Sequence, residues 1–191
     1  MTINAIDTEL RRGTKYVTVS QLAPYKRVDL IAQAFRSMPE KELIVIGEGS
    51  QRARIEALGV PNVRLLGRLS DATRDRWLSQ ARAFIFAAEE DFGIAPLEAQ
   101  AHGAPVIALR RGGVLETIRG LEDETPTGVL FEGQTAEAIA RAVREFEMHA
   151  DRIASSACRQ NAARFGAERF RRDIADFVRE RWHEFSGRAT R

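Results

Sequence analysis

Short apolar runs rich in β-branched and aromatic residues recur along the chain. Each is followed by a stretch with apolar residues at three- and four-residue steps. Tyr16–Ser20 (YVTVS), Glu42–Gly47 (ELIVIG), Val63–Leu66, Ala83–Ala87 (AFIFA) and Ala104–Leu109 (APVIAL) read as strands. Val129–Phe131, after the turn signal Pro126-Thr127-Gly128, reads as a short sixth. Between them, Val28–Met38, Ser50–Leu58, Asp71–Ala81 and Gly93–His102 have helical spacing, and Thr135–His149 reads as a long helix. Strands apolar on both faces, alternating with helices, predict an α/β fold. The arrangement expected is a doubly wound, Rossmann-like parallel sheet of about six strands, with helices on both faces and at the C-terminus. Ligands of such sheets bind beyond the carboxyl ends of the strands, so the segments just after each strand are where chemistry is sought.

The last part of the chain has no strand pattern. Phe170, Ile174, Phe177, Val178, Trp182 and Phe185 recur at helical steps and predict an amphipathic helix, packed on the sheet or on a partner domain. Residues 1–14 read as a flexible N-terminal segment or a domain boundary. Residues 15–186 read as one Rossmann-like domain including the C-terminal amphipathic helices, and 187–191 as a disordered tail.

Composition narrows the setting. A chain of 191 residues with 44% hydrophobic content can bury a core without disulfides or metals. Its one cysteine, Cys158, has no internal partner, which suits a reducing cytoplasm. No apolar run approaches the ~20 residues that span a membrane, and the start lacks the pattern of a signal peptide. No Cys/His cluster has metal-ligand spacing. The net charge of +2 is unevenly placed: from Arg159 onward there are nine Arg against five Asp or Glu. The simplest reading is a solvated helix face. The basic balance also permits peripheral contact with the inner face of a membrane, and nothing resembles a nucleic-acid signature. The expected location is therefore cytoplasmic, at such a face or away from it.

The richest segment for chemistry is Glu89 to Ala108, which runs from strand to tight loop to helix to strand. Gly93 allows close backbone approach, and Pro96 is tolerated because it falls in the first helical turn. The N–H groups of Phe92, Gly93 and Ile94 would face the cleft at a helix N-terminus, an anion site through unsatisfied donors and the helix dipole. Glu98 lies ~6 Å along the axis from the helix start, leaning back toward it. Glu90 and Glu98 could thus flank a bound diphosphate, accepting hydrogen bonds from hydroxyls on either side. Two Glu eight apart also arise by chance, so the pair persuades only with its context.

That context is a series of further segments in order. They are the Ala-x-x-x-Gly-x-Pro-Val-Ile strand after the helix, Gly112-Gly113-Val114-Leu115-Glu116, and Thr127-Gly128-Val129-Leu130-Phe131. Upstream come Val19 to Asp29 (VSQLAPYKRVD), Val45-Ile46-Gly47-Glu48-Gly49 and Leu65-Leu66-Gly67-Arg68-Leu69. With the Glu90-to-Glu98 spacing, these resemble the C-terminal, donor-binding domain of the family-4 retaining glycosyltransferases of the GT-B fold. The likeness runs over roughly Tyr16 to Phe185 and leans toward mannosyltransferases of polysaccharide assembly.

The resemblance implies a function and its residues. The chain would be the nucleotide-sugar-binding half of an enzyme that transfers a hexose, such as mannose, from a GDP- or UDP-linked donor to a saccharide or lipid-linked acceptor. The catalytic groups implied are Glu90, holding donor-sugar hydroxyls, and Lys26, neutralising the diphosphate. Glu98 would take the ribose diol. The amides of Phe92, Gly93 and Ile94 would meet the sugar and diphosphate, Arg68 would flank the base, and Gly112 and Gly113 would let a backbone loop approach the sugar. Many members carry Arg where this chain has Gln21, which can donate hydrogen bonds but carries no charge; Arg27, next to Lys26, could substitute, but it reads more simply as a helix-surface arginine. The implied partner is an N-terminal acceptor-binding GT-B domain, without which little turnover is expected. No cofactor and no metal are expected, because protein cations and a helix dipole can assist the leaving group.

Other readings stay open on sequence grounds: a non-catalytic sugar-nucleotide-binding module or a GT-B sugar-nucleotide epimerase. A glycogen-type phosphorylase shares the architecture but would need a cofactor-bearing lysine, which no segment suggests. A dinucleotide oxidoreductase would want G-x-G-x-x-G after the first strand, and Ser20-Gln21-Leu22-Ala23-Pro24 differs. His102, before Gly103 at a helix end, reads as a cap rather than as an acid or base. His149 and His183 read as surface residues.

Overall fold

The apolar runs become six parallel strands: β1 (Tyr16–Val19), β2 (Leu43–Ile46), β3 (Val63–Gly67), β4 (Phe84–Phe86), β5 (Val106–Leu109) and β6 (Gly128–Phe131). A computed structural model describes residues 12–188. Residues 1–11 and 189–191, which take in most of the expected flexible start and the end of the expected tail, lie outside the described residues. The spatial order is β3-β2-β1-β4-β5-β6. From β1 the chain winds outward to β2 and β3, then returns to β4 and winds the other way. The crevice between β1 and β4 is thus the topological switch point, where doubly wound sheets bind ligands.

Alternation along each strand explains why both faces are covered. Tyr16, Leu43, Val45, Ile85, Ile107 and Val129 face one core. Helices α1 (Val28–Phe35) and α6 (Ala136–His149) seal it with Ile31, Phe35, Ile139, Val143 and Phe146. Val17, Ile44, Ile46, Phe84, Phe86 and Val106 face the other. There α3 (Asp71–Ser79) and α4 (Ile94–Ala101) contribute Leu78 and Ala99. Burying a side chain of this size contributes about 1.5–3 kcal/mol, so the two cores, rather than helix propensity, hold the layers together. The short helix α2 (Arg52–Glu56) packs Ile55 beside the first core. Sequence patterning missed α5 (Val114–Thr117), taken as loop, and did not separate α7 (Ser155–Ala163) from the helix that follows.

That last helix, α8 (Ala167–Arg188), corrects one expectation and sharpens another. It does not pack on the sheet: Phe170, Ile174, Phe177, Val178, Trp182 and Phe185 are all exposed. It also runs two residues beyond the expected domain end at 186. After α7, which packs on α4, the chain turns through residues 164–166 into α8. Its polar side carries ion pairs one turn apart, among them Arg169–Asp173 and Arg181–Glu184, each worth about 0.2–0.5 kcal/mol to an isolated helix. Between 167 and 186 the five Arg are matched by five Asp or Glu. Most of the basic excess therefore lies outside this helix, which weakens the case for an anionic membrane surface. Among the described residues, no helix is long and apolar enough to cross a membrane.

At the end of the sheet opposite the switch-point crevice, a polar cluster closes the core. Glu147 on α6 accepts from Tyr16 (2.5 Å), Lys41 (3.0 Å) and Arg82. Burial works to raise the Glu147 pKa, but hydrogen bonds from Arg82, Tyr16 and Lys41 outweigh it and hold the carboxyl at about 2. The same burial, with the Glu147 bond, pushes the Tyr16 phenol above its ordinary value. A folded-state carboxyl pKa below the unfolded value of about 4.3 stabilises the fold above that pH. This contribution is lost as pH falls from about 5 toward 2. Thermal melts over that range are expected to show a decline that is shallower in Glu147→Gln; parallel profiles would contradict the assignment. Elsewhere in the core, burial raises the Cys158 thiol to about 11, so it is an inert packing group.

Candidate functional site

At the carboxyl ends of the strands lies an open cleft of about 930 Å³, which spans the β1–β4 switch point. Its first wall follows β1. Ser20 and Leu22 continue the line of the sheet through backbone bonds to Ile46 and Glu48 (3.0 and 2.9 Å). Pro24–Lys26 then form a 3-10 turn, whose preset φ at Pro24 suits its start. The turn places the Lys26 side chain in the cleft, with its ammonium 5.0 Å from the centre of the Tyr25 ring. Arg27 follows with φ +52°, caps the turn and pairs with Asp29 at 3.5 Å. It does not line the cleft, so it is no substitute for the charge absent at Gln21.

The second wall follows β4. Glu90 leaves the strand and meets Lys26 in an ion pair across the crevice. The two residues are far apart in sequence, and only the strand order brings them together. Their side chains are about four-fifths buried, at 17% and 22% exposure. Burial lowers the Lys26 pKa; a bound anion would act in the opposite sense. Gly93 then takes φ +79°, a left-handed conformation that turns the chain into α4. Pro96 falls in the first turn of α4, as expected. The first turn of a helix carries amides without intrahelical partners, and Phe92, Gly93, Ile94 and Ala95 line the cleft there. Glu98, one turn further, lines it too.

Of the residues singled out from sequence, Gln21, Lys26, Arg68, Glu90, Phe92, Gly93, Ile94 and Glu98 share this one cleft. Gly112 and Gly113 do not line it. Gly112 forms a parallel bridge with Glu90, and the Gly113 amide donates to the Glu90 carbonyl at 2.8 Å. Their lack of side chains lets their loop approach the 90–92 backbone from behind, so they shape the site without facing it. His102 caps the end of α4 through the Glu98 carbonyl (2.8 Å to Nδ1), as its place before Gly103 suggested. Sequence reading passed over Ser20, Tyr25, Glu48, Asp71 and Arg74, all of which line the cleft. Arg74 was findable as a cation one turn into the helix after Arg68-Leu69.

A buried polar network fixes the rear of α4. Gln100 Nε2 donates to the Thr117 carbonyl (2.9 Å), and Asn161 Nδ2 donates to Gln100 Oε1 (2.7 Å) and to the same carbonyl (2.8 Å). Arg164 donates to Asn161 Oδ1 at 2.9 Å. All three of Gln100, Thr117 and Asn161 are essentially inaccessible to solvent. Such bonds are directional, so α4, α5 and α7 are held in one relative orientation where apolar contacts alone would allow sliding. The ring of Phe165, just beyond α7, meets Phe92 edge-on at 6.0 Å. Among the described residues, no group of three or more His, Cys, Asp or Glu is placed to hold a metal ion.

This arrangement has known counterparts. The family model described as Glycosyl transferases group 1 matches residues 7–165. A phosphatidyl-myo-inositol mannosyltransferase of Propionibacterium freudenreichii is 36% identical over 107 residues, covering 55% of this chain and 26% of that protein. A D-inositol 3-phosphate glycosyltransferase of Mycobacterium bovis is 30% identical over 190 residues, covering 85% of this chain and 38% of that protein. The chain thus spans less than half the length of these relatives. Among solved structures, a sucrose-phosphate synthase from Thermosynechococcus elongatus has a TM-score of 0.75 at 24% identity, over 90% of this chain and 46% of that one. The Anabaena protein Alr3699/HepE, solved with UDP-glucose, has a TM-score of 0.68 at 22% identity, over 88% and 49%. At those identities the structural likeness establishes the fold.

Proposed function

The chain belongs to the group 1 glycosyltransferases, and from that membership we propose that its cleft binds the nucleoside diphosphate sugar of a retaining hexosyl transfer. The observation that carries the reading is the meeting of Lys26 and Glu90 across the switch point, in front of the α4 N-terminus. A cation, a set of helix amides and a sugar-directed carboxylate are the parts such a donor needs. Lys26 and the amides after Phe92 take the diphosphate and stabilise its charge as the glycosidic bond breaks. Glu90 accepts from hydroxyls of the hexose, and Glu98 accepts from the ribose diol. Gln21 supplies neutral hydrogen bonds at the leaving group. No metal is needed on this reading.

Chain length supports the second half of the proposal. Relatives are more than twice as long, and α8 offers an uncovered apolar face. The remaining partner is an acceptor-binding domain that packs on α8 and closes the cleft, so turnover requires both halves. The acceptor is a saccharide or a lipid-linked molecule, and the hexose is mannose, in keeping with the phosphatidyl-myo-inositol mannosyltransferase among the relatives. A cytoplasmic setting, at a membrane face where the acceptor is lipid-linked, belongs to the same proposal.

Calorimetry tests the donor site directly. GDP or UDP is expected to bind the chain equally well with and without chelator. Glu98→Ala is expected to weaken that binding roughly tenfold or more, the worth of a charge-assisted hydrogen bond. Unchanged affinity in Glu98→Ala would remove Glu98 from the site. Binding that vanished with chelator and returned with magnesium would sink the metal-free reading.

A further inference from the structure

The cleft extends past Glu98 to a further cation besides Lys26 and Arg68. Arg74 lies on α3 and lines the cleft together with Asp71, Glu48, Ile46 and Leu69. Its guanidinium is held rather than loose. Nε and Nη2 both donate to Asp75 Oδ1 (3.0 and 2.9 Å), and Nη1 pairs with Asp71 Oδ1 at 3.1 Å. About a quarter of the side chain is exposed, at 26%. The two Asp75 bonds use two of the five N–H donors of an arginine. Three remain, one on Nη2 and two on Nη1, and the facing pair on the two terminal nitrogens makes an end-on fork. Glu98 acts on Arg74 electrostatically, which places the two charges in one neighbourhood.

We propose that Arg74 selects guanine, so that the donor is a GDP-linked sugar. This rests on the reading of the cleft as a nucleoside diphosphate site. With the diphosphate at the α4 N-terminus and the ribose at Glu98, the base falls beyond Glu98, where Arg74 stands. An arginine fork needs two adjacent acceptors. Guanine presents O6 and N7 as such a pair, whereas adenine sets a donor beside N7. Uracil sets its N3–H between two carbonyls. Cytosine has an adjacent acceptor pair at N3 and O2, but no donor pair for a carboxylate. Guanine has one as well, in N1–H and its amino group, and the carboxylates of Glu48 and Asp71, paired with Arg52 and Arg74, line the cleft with remaining lone pairs to accept it. Guanine is the base that uses both signs of charge, between Ile46 and Leu69 as apolar walls.

GDP, UDP and CDP titrated separately into the chain, and into Arg74→Leu and Arg74→Lys, test the assignment. The wild-type chain is expected to bind GDP roughly tenfold to a hundredfold more tightly than UDP or CDP, the usual discrimination of a bidentate base contact. In Arg74→Leu the ratio of GDP to UDP affinity is expected to fall toward one. Arg74→Lys, a point charge without the fork, should recover little of it. A general loss of stability would lower both affinities and leave the ratio alone. UDP or CDP bound as tightly as GDP by the wild type, or a ratio unmoved by Arg74→Leu, overturns the assignment while leaving the donor site standing. Failure of all three to bind overturns the donor site and the assignment with it.

Discussion

Lys26→Ala is expected to weaken nucleoside diphosphate binding roughly tenfold to a hundredfold, the range for a charge-assisted hydrogen bond, while Glu90→Gln is expected to strengthen it. The opposite signs follow from the ion pair. Without a donor, Lys26 is held by Glu90. An incoming diphosphate must take the ammonium from that carboxylate and approach a second negative charge. Removing the lysine deletes the attraction and leaves the repulsion. Removing the charge of Glu90 deletes the repulsion and frees the lysine. The hexose reverses the second effect, because it offers hydroxyls to the carboxylate. Glu90→Gln should therefore bind the bare diphosphate more tightly and gain less from the attached sugar. Titration of GDP and of a GDP-linked hexose into both variants checks this. Weakening of the bare diphosphate by Glu90→Gln would show that the pair is a structural strut and not a donor site waiting to be filled.

How far this was legible in the sequence differs by level. The strands were readable because a parallel sheet covered on both faces demands unbroken apolar runs, and Leu43–Ile46 or Val106–Leu109 can hardly be anything else. The Glu90–Glu98 relation was readable because a helix fixes the distance between its start and its second turn. The Lys26–Glu90 meeting was not readable from spacing, since it depends on β4 returning beside β1; family likeness alone had put both residues in one site. Arg74 escaped notice because the helix bearing it buries only Leu78, and a charged residue there looks like solvent-facing decoration. Gln100, Thr117 and Asn161 likewise look like surface residues, yet they are buried because each satisfies another. For α8 the three- and four-residue steps of its apolar residues fixed the helix but not what covers it. Periodicity names a face, and only a second surface names its partner.

The glycines behind the donor loop are where a small change should act most strongly. A Cβ built on Gly113 would stand 2.3 Å from the Asp91 carbonyl oxygen and 2.5 Å from the Phe92 Cα. Those are backbone atoms of the segment that carries the anion-binding amides, so nothing flexible can yield. Gly113 itself has φ −62°, which any residue adopts; the effect is purely steric. Overpacking of this kind costs about 1–3 kcal/mol of stability, and relief requires the 112–113 and 90–93 segments to separate, which shifts the donor loop. Gly113→Ala is therefore expected to fold with a reduced melting temperature and to lose nucleoside diphosphate affinity roughly tenfold or more, as charge-assisted bonds are displaced. Gly59→Ala separates the two effects. Gly59 has φ +60° and open space around the added carbon, so alanine there brings backbone strain of about 1–2 kcal/mol at a position that does not line the cleft. It should lower the melting temperature to a similar degree and leave affinity unchanged. Equal loss of affinity in both variants would mean that binding follows overall stability. Loss in Gly113→Ala alone would mean that the position of the 90–93 backbone, set from behind by two glycines, decides whether the donor is held.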